Sequence, residues 1–246
     1  MIVTLDPAIT VVDGGAPRPD LAERVESKFT TRARDLASVR AILRRSCTPI
    51  HYAGPVSTVY SLYFDTPELA ACQANLDGVG HRRKTRLRWY EDVAAQRFFF
   101  ETKWRRDRVV GKERRELTTD RALPEWGLRS LRQQLLAALP LEQQGYLAED
   151  SEPVALIRYR REHYRLDGTP IRVTIDFDLQ FFSQLGRRRL STRFAERAPG
   201  TIIIETKAPL GESRRAARIL DPLPTRPARF SKYVTACQQL GWVRGT

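Results

Sequence analysis

KTRLRWYED, residues 84–92, decides how the rest of this sequence is interpreted. Lys84, Arg86 and Arg88 stand at alternate positions, and the apolar Leu87 separates the two arginines. Successive side chains of a β-strand point to opposite faces of the sheet. The stretch therefore predicts a strand with one cationic face and one apolar face.

The same alternation recurs in five other segments of the chain. Glu26 and Lys28 share one face of the first of these, and Glu101 and Lys103 share one face of another. Cations predominate on these faces, where an ordinary wetted sheet face would carry Thr, Ser and Gln. We therefore favour strands around an enclosed polar channel over a half-buried sheet with its charges in water. Opposed cationic rows in such a channel need a polyanion between them.

The overall composition agrees with a folded protein that binds polyanions. The 246 residues are 41% hydrophobic and carry a formal net charge of +13, which suits nucleic acid, acidic membrane or a phosphate-rich small molecule. The three cysteines are widely spaced and odd in number, which is typical of unpaired thiols in a reducing compartment. No apolar run approaches the length of a membrane helix, and we expect a cytoplasmic protein without a transmembrane segment.

The order of elements predicts one α+β domain on a large antiparallel sheet, because helices and strands do not alternate regularly. Segments with strand-like alternation are 22–30, 56–64, 82–91, 97–105, 108–117, 154–166, 170–182, 187–194 and 200–207. Segments with helical spacing are 35–46, 128–139 and 231–240, whereas 118–127 and 140–153 are typical of connections. Residues 1–20 are expected to form a flexible lead-in.

Eight short segments carry a resemblance to a known family. In chain order they are VESKF, VYSLYFDT, KTRLRWYE, FFFETKW, RYRREHY, RVTIDFDL, IIIETK and RFSKY. The series resembles the VTC domain, the polyphosphate polymerase domain of the vacuolar transporter chaperone complex and its bacterial relatives. That domain belongs to the triphosphate tunnel metalloenzymes, alongside the CYTH phosphatases. The resemblance implies that residues 21–246 form a closed eight-stranded antiparallel β-barrel, with helices packed outside, that binds a triphosphate or polyphosphate lengthwise.

The resemblance also implies that basic residues from several strands bind phosphate. Arg86 and Arg88 match the family's R-x-R pair, and arginine suits planar, bidentate contacts with phosphate oxygens. The whole expected phosphate-binding set is Lys28, Arg86, Arg88, Lys103, Lys112, Arg114, Tyr159, Arg161, Lys207, Ser231 and Lys232. The members of this set expected to act in catalysis are Arg86, Arg88, Lys103 and Arg161.

Two pairs within this set carry their own interpretation. Ser231 and Lys232 match the S-K pair that begins the family's last helix, where backbone N–H groups and the helix dipole favour anions. Lys112 and Arg114 share one face of the strand GKERREL. The sequence does not decide which of these two takes the family's phosphate-binding lysine position.

The carboxylates among these cations indicate a metal site. Glu205 matches the metal-binding carboxylate of the family's E-x-K strand, and Glu26 and Glu101 are weaker candidates. A carboxylate surrounded by cations is favourable when a divalent ion bridges it to phosphate, so Mn²⁺ or Mg²⁺ is the expected cofactor. A structural alternative stays open for Arg161, which could form a salt bridge with Asp176 or with Glu205.

One position departs from the family pattern and bears on function. The CYTH phosphatases begin with E-x-E-x-K, whereas Arg24 precedes Glu26 and Lys28 here. The lost carboxylate and the added cation favour a polyphosphate polymerase, which moves the γ-phosphoryl of ATP to a polyphosphate chain. The alternatives are an inorganic tri- or polyphosphatase with the same channel, and a non-catalytic polyphosphate-binding module.

The expected partners follow from this interpretation. ATP and polyphosphate or triphosphate are the expected ligands, and a separate membrane protein is an expected protein partner. Nucleic acid is disfavoured, because the cations lie at alternate strand positions and no helix-turn-helix, zinc finger or RNP signature is present.

Overall fold

The computed structural model describes residues 8–12, 24–198, 200–223 and 225–244, which contain twelve strands and six α-helices. The strands are β1 Ile9–Val12, β2 Arg24–Arg32, β3 Cys47–Ile50, β4 Ser57–Asp65, β5 His81–Tyr90, β6 Arg97–Arg106, β7 Val109–Thr119, β8 Glu152–Leu166, β9 Arg172–Ser183, β10 Glu196–Arg197, β11 Thr201–Pro209 and β12 Arg226–Pro227. The helices are α1 Leu36–Leu43, α2 Ala70–Leu76, α3 Leu128–Ala138, α4 Leu141–Glu149, α5 Ser213–Arg218 and α6 Lys232–Gln239. The predicted α+β class is confirmed.

All strands belong to one antiparallel sheet. Its order is β1-β7-β6-β5-β4-β8-β9-β11-β2-β12, with β10 added to β9 and β3 added to β8. The prediction of a closed eight-stranded barrel is wrong, because the described strands form an open sheet with β1 and β12 at its ends. The outer edge of β7 pairs with β1 and that of β2 pairs with β12, so these edges do not pair with each other.

The open sheet is nevertheless strongly curled. Strands β6 and β2 lie six places apart in the strand order, yet Lys103 Nζ on β6 is 3.4 Å from Glu26 Oε2 on β2. Side chains on this face therefore converge across the sheet, and we call it the concave face. Directly opposed residues of paired strands share a face, so the strand register assigns other side chains to it.

Two apolar clusters lie on the opposite, convex face and hold helices there. Trp89, Phe98 and Leu117 pack with leucines of α3, and Ile9 of β1 belongs to the same cluster. The predicted lead-in, residues 1–20, thus contains a strand, and its other residues before Ala8 and after Val12 lie outside the described ranges. A second cluster places Ile204 and its neighbours against α1 and α5.

A third apolar cluster lies on the concave face. Val59, Ile157 and Phe181 point to this side and pack with Cys72 of α2 and Cys237 of α6. The prediction that the helices pack outside the sheet is therefore wrong for α2 and α6, which cover the apolar half of the concave face. All three cysteines of the chain are buried as free thiols.

The three predicted helices are confirmed, whereas one predicted connection and one predicted strand are wrong. Segments 35–46, 128–139 and 231–240 contain α1, α3 and α6, whereas the predicted connection 140–153 contains α4. The predicted strand 187–194 is a loop instead. Its conformation is held by the Gln184 amide, which bonds the backbone N–H and C=O of Ser191. Within the described ranges, no helix combines the length and apolar character needed to cross a bilayer.

Candidate functional site

Strand register brings basic residues of β5, β6 and β7 together on the concave face. Arg86 lies opposite Glu101, and Glu101 lies opposite Arg114 on its other side. One step along the same face, Lys84 lies opposite Lys103. The alternation in KTRLRWYED thus places its cations on the concave face, as the channel interpretation requires.

Glu101 is the centre of the first group. Its carboxylate lies 2.6 Å from Arg86 Nη2 and 2.7 Å from Lys112 Nζ, with Arg88 Nη1 at 3.7 Å and Arg114 Nε at 3.6 Å. Burial opposes its ionisation, but these cations hold the pKa of Glu101 well below its usual range. Glu101 therefore fixes the guanidiniums by charge-assisted hydrogen bonds before any ligand binds.

Arg86 and Arg88 differ in how firmly they are held. Arg86 donates to Glu101 and, at 2.7 Å, to the Tyr63 hydroxyl. Arg88 makes only long contacts within the described structure, 3.4 Å to Ser61 Oγ and 3.7 Å to Glu101, although its side chain is only 11% exposed. Arg88 is consequently the buried guanidinium with the most donor capacity left for a ligand.

The opposite wall comes from β2 and β11. Glu205 lies opposite Lys28, and Lys207 Nζ is 2.8 Å from Glu205 Oε1. Glu26 lies 3.2 Å from Lys28 Nζ and also contacts Lys103 across the concave face. Burial raises the pKa of Glu205, but Lys207 and the neighbouring cations outweigh it and hold the pKa well below the usual range.

Arg161 and Asp176 form a buried ion pair at the floor. Two guanidinium nitrogens of Arg161 donate to the two Asp176 oxygens at 2.5 and 2.7 Å, and Lys232 Nζ lies 2.6 Å from Asp176. Burial opposes ionisation, yet Arg161 and Lys232 lower the pKa of Asp176 to about 2. The structural alternative for Arg161 is thus realised with Asp176, and the same pair holds Lys232 at the start of α6.

Two buried hydroxyls on this face have no hydrogen-bond partner among the described residues: Tyr159 Oη and Thr174 Oγ1. The Tyr159 ring lies beneath Arg161 and Lys232, at 5.3 and 4.8 Å from its centroid. Thr174 lies opposite Glu205. Buried hydroxyls are normally satisfied, so this part of the face suits a ligand or water rich in oxygen.

The residues that begin α6 border the charged half of the concave face. Ser231 caps the helix by accepting from the Val234 N–H at 3.3 Å, and it accepts from Lys84 Nζ at 2.9 Å. Burial, Lys28 and Lys103 lower the pKa of Lys84 to about 7. A lysine among other cations and with so low a pKa gains a proton readily when an anion arrives.

The face as a whole is strongly basic. Four carboxylates lie in its central part: Glu26, Glu101, Asp176 and Glu205. Ten basic side chains lie in the same central part: Lys28, Lys84, Arg86, Arg88, Lys103, Lys112, Arg114, Arg161, Lys207 and Lys232. Such an excess of cations in a partly buried groove favours a polyanionic ligand.

Comparison with known proteins agrees with this geometry. The family model of the VTC domain matches residues 23–241. The chain belongs to the VTC domain family. This confirms the resemblance carried by the eight short segments, whereas no curated protein matches the chain in sequence.

Two solved structures are similar to this VTC domain. One is the PH1819 protein from Pyrococcus horikoshii OT3, with 10% identity and a TM-score of 0.47, covering 88% of this chain and 98% of its own. The other, from Bacillus halodurans, is provisionally named an adenylate cyclase, with 11% identity, a TM-score of 0.51, and 85% and 94% coverage. At this identity the second likeness concerns the fold alone.

The expected site residues of this VTC domain are brought together in two groups. The first group surrounds Glu101 and consists of Arg86, Arg88, Lys112 and Arg114. The second lies around Glu26, Asp176 and Glu205 and contains Lys28, Lys103, Tyr159, Arg161, Lys207, Lys232 and the preceding Ser231, which contacts Lys84. Lys112 and Arg114 both reach Glu101, and the Arg114 guanidinium also lies 3.7 Å from the centroid of the Phe99 ring.

Sequence reasoning left Lys84 out of the site, although its strand parity with Arg86 and Arg88 was the available signal. It also left open whether Asp176 pairs with Arg161, because a register between β8 and β9 cannot be read from local pattern. The structure supplies that register, with Arg161 directly opposite Asp176.

The carboxylates differ in their fit to a divalent metal ion. Glu26 and Glu205 lie on the paired strands β2 and β11, and the charge of Glu205 opposes the ionisation of Glu26. These two oxygen-donor side chains are therefore the pair that could hold a divalent ion. Glu101 fits less well, because four basic groups lie within 4 Å of its carboxylate, whereas among the described residues Glu205 has only Lys207 within that distance. Within the described ranges, no group of three or more His, Cys, Asp or Glu residues has metal-binding geometry.

Proposed function

We propose that this VTC domain is a phosphotransferase that moves the γ-phosphoryl of ATP to the end of a polyphosphate chain and releases ADP. The observation that carries the proposal is the convergence of ten basic side chains on one concave face. A linear chain of phosphates has the charge and shape to satisfy such a face.

The chemistry requires no protein nucleophile. A terminal phosphate oxygen of the acceptor chain forms a bond to the γ-phosphorus, and the bond from that phosphorus to the β–γ bridging oxygen breaks. The acceptor oxygen is already ionised, so a general base has no proton to remove. Catalysis then consists of holding the two phosphates in line and stabilising the charge that spreads over the transferred group.

The first group supplies prearranged donors for this task. Arg86 is fixed by Glu101 and Tyr63, and its geometry therefore needs little rearrangement when phosphate binds. Arg88 has free donor capacity beside it, and Lys112 adds a third charge. Together they would bind the oxygens of the triphosphate from one side.

The second group would hold the opposite side of the chain. Lys28, Lys207 and Lys232 surround Glu205 and Asp176, and the free Tyr159 hydroxyl lies among them. Glu205, with Glu26, would hold Mg²⁺ or Mn²⁺. Such an ion supplies positive charge to the phosphate oxygens as the γ-phosphoryl is transferred.

The proposal is tested by incubating the purified protein with ATP and Mn²⁺ and separating the products on a gel. Long polyphosphate chains with ADP are expected. Orthophosphate without chains would replace the proposal with hydrolysis, and tripolyphosphate binding without either product would replace it with a binding module.

A carboxylate variant sharpens the test. Glu205→Gln is expected to abolish turnover while tripolyphosphate binding stays measurable by calorimetry. Glu212→Gln is the matched control, because Glu212 forms only an exposed pair with Arg215 and should leave turnover unchanged. Full activity of Glu205→Gln would remove Glu205 from the mechanism.

A further inference from the structure

The cationic rows of β5 and β6 continue beyond the two groups described above. Arg82 lies two residues before Lys84, Arg105 lies two residues after Lys103, and Arg82 and Arg105 are directly opposed in the register. Both therefore project from the concave side of the sheet. Like charges directly opposite each other are unfavourable in a sheet, so this arrangement needs an explanation.

A third arginine approaches from another part of the chain. Arg229 precedes Phe230 and Ser231, and Ser231 accepts the hydrogen bond from Lys84. The Ala228 N–H donates to the Lys28 carbonyl, so residues 228–231 run beside Lys28 and Lys84. Burial and the charges of Arg105 and Arg229 lower the pKa of Arg82, in agreement with this placement. We call Arg82, Arg105 and Arg229 the mouth cluster.

The mouth cluster lacks the carboxylates that neutralise the inner cations. Arg82 donates to the backbone carbonyl of Val79, and Arg105 Nε donates to the backbone carbonyl of Asp107 at 2.7 Å. The Asp107 carboxylate is 3.1 Å from His81. Across the described ranges, none of the three arginines forms an ion pair with a carboxylate, whereas Arg86, Lys103 and Arg161 each do.

The cluster lies where β5 begins and β6 ends, at one end of the groove. Arg82 and Arg105 are half-buried there and Arg229 is exposed, so the cluster is accessible from solvent. Arg82 and Arg86 are four residues apart on one strand, a span of about 13 Å between their Cα atoms. A phosphate chain bound at Arg86 and Arg88 therefore contacts more of the mouth cluster the longer it is.

From this geometry we infer that the mouth cluster is a separate binding subsite for the distal phosphates of a long polyphosphate chain. It gives long chains an affinity advantage over tripolyphosphate. The inference rests on the proposed function, because the inner groove must hold the reacting end of the same chain. The three guanidiniums would each contact phosphate oxygens, and bound phosphate would remove their mutual repulsion.

The test compares two ligands and two triple variants. Affinities for tripolyphosphate and for a long polyphosphate chain are measured by calorimetry at one salt concentration. The variant Arg82→Gln with Arg105→Gln and Arg229→Gln should bind the long chain roughly tenfold more weakly, and tripolyphosphate within about twofold of the unaltered protein. Retained tripolyphosphate binding also shows that the variant is folded.

The matched control removes three charges elsewhere on the surface. Arg187, Arg188 and Arg189 are exposed in the loop beside the start of α3, where the Leu128 N–H donates to the Arg188 carbonyl. Their combined replacement by Gln should leave the preference for long chains unchanged. The salt dependence of long-chain binding should fall in the mouth variant only, because fewer counterions are released.

Three results would overturn the inference. They are an equal loss of affinity for both ligands in the mouth variant, no loss for either ligand, or an equal loss of long-chain affinity in the control variant. If the unaltered protein binds neither ligand, the proposed function itself is overturned. Binding of tripolyphosphate with unchanged long-chain preference removes only the mouth subsite.

Discussion

The two halves of the concave face belong to one sheet but serve different purposes. On one half, Arg86, Lys103 and Glu205 face a groove that is partly open to solvent. On the other half, Val59 and Ile157 of the central strands are covered by α2 and α6. One surface of a single sheet thus provides both a binding groove and part of the hydrophobic core.

The difference shows how a polar groove can be held open in a stable protein. The apolar half anchors α6 by burying Ala236 and Cys237, and the first residues of α6 then deliver Ser231 and Lys232 to the charged half. Burial of the helix therefore fixes the position of groups that would repel their neighbours if they were free to move.

The largest expected effect is on stability at the centre of the charged half. Glu101→Gln should lower the free energy of unfolding by about 3 kcal/mol at pH 7, because it leaves the largely buried Arg86 and Arg88 beside a neutral group. Urea titration measures this loss, and added tripolyphosphate should recover part of it.

The control for this variant is Glu116→Gln. Glu116 pairs with Arg97, whose side chain is 69% exposed, so the same change should lower the free energy of unfolding by less than about 1 kcal/mol. Equal losses at the two positions would mean that the charged half is not organised around Glu101.

The second effect concerns affinity. Arg88→Met should weaken tripolyphosphate binding roughly 10- to 100-fold, because charged hydrogen bonds to phosphate are lost while the apolar stem is kept. Arg158→Met provides the comparison, since Arg158 lies on the convex face near Tyr60. Calorimetry that gives both variants the same affinity would contradict the role of Arg88.

The third effect should separate stability from binding. Tyr233→Phe removes the hydrogen bond from the Tyr233 hydroxyl to the buried Asp65 carboxylate and should lower the free energy of unfolding by about 1–2 kcal/mol. Asp65 keeps its bonds from the Ala71 and Cys72 N–H groups. Tripolyphosphate affinity should change less than about twofold, and a larger loss would show that the two halves are coupled.

The smallest effect is a change in pH dependence. Lys84 has a pKa of about 7 in the free protein, and a bound polyanion favours its charged form, so binding takes up a proton. Affinity should therefore fall as pH rises from 7 to 9. Lys84→Arg should flatten this fall, because arginine stays protonated throughout the range.

This measurement needs the unaltered protein as its reference, because tripolyphosphate and Lys112, whose pKa is lowered to about 8, also titrate in the same range. Those contributions are common to both proteins and cancel in the comparison. Identical slopes for the two proteins would show that Lys84 does not change its charge on binding.

Local pattern predicted which side chains share a face, because strand parity depends only on spacing. For that reason the sequence placed Arg86 with Arg88 on one face of a strand and Glu101 with Lys103 on one face of another, and the register agrees. Whether the sheet closes depends on which strands pair at its two edges. At one edge, β1 pairs with β7, so β7 does not pair with the other edge. No local signal in the sequence reports such pairing.

The sequence also did not predict on which face of the sheet α6 packs. The apolar spacing in residues 231–240 predicted a helix, but a stripe of apolar residues packs equally well on either face of a sheet. Val59 and Ser61 share one face of β4, and the apolar half of the concave face meets the charged half between them. This change of side chain does not indicate which helix covers the apolar half.

The order of elements along the chain has a consequence for biosynthesis. Helix α6 follows every strand of the sheet, so the ribosome delivers it after all of them. Until α6 has been synthesised, it cannot cover the apolar half of the concave face, and Lys232 cannot pair with Asp176. The basic groove is therefore completed only at a late stage in the synthesis of each molecule.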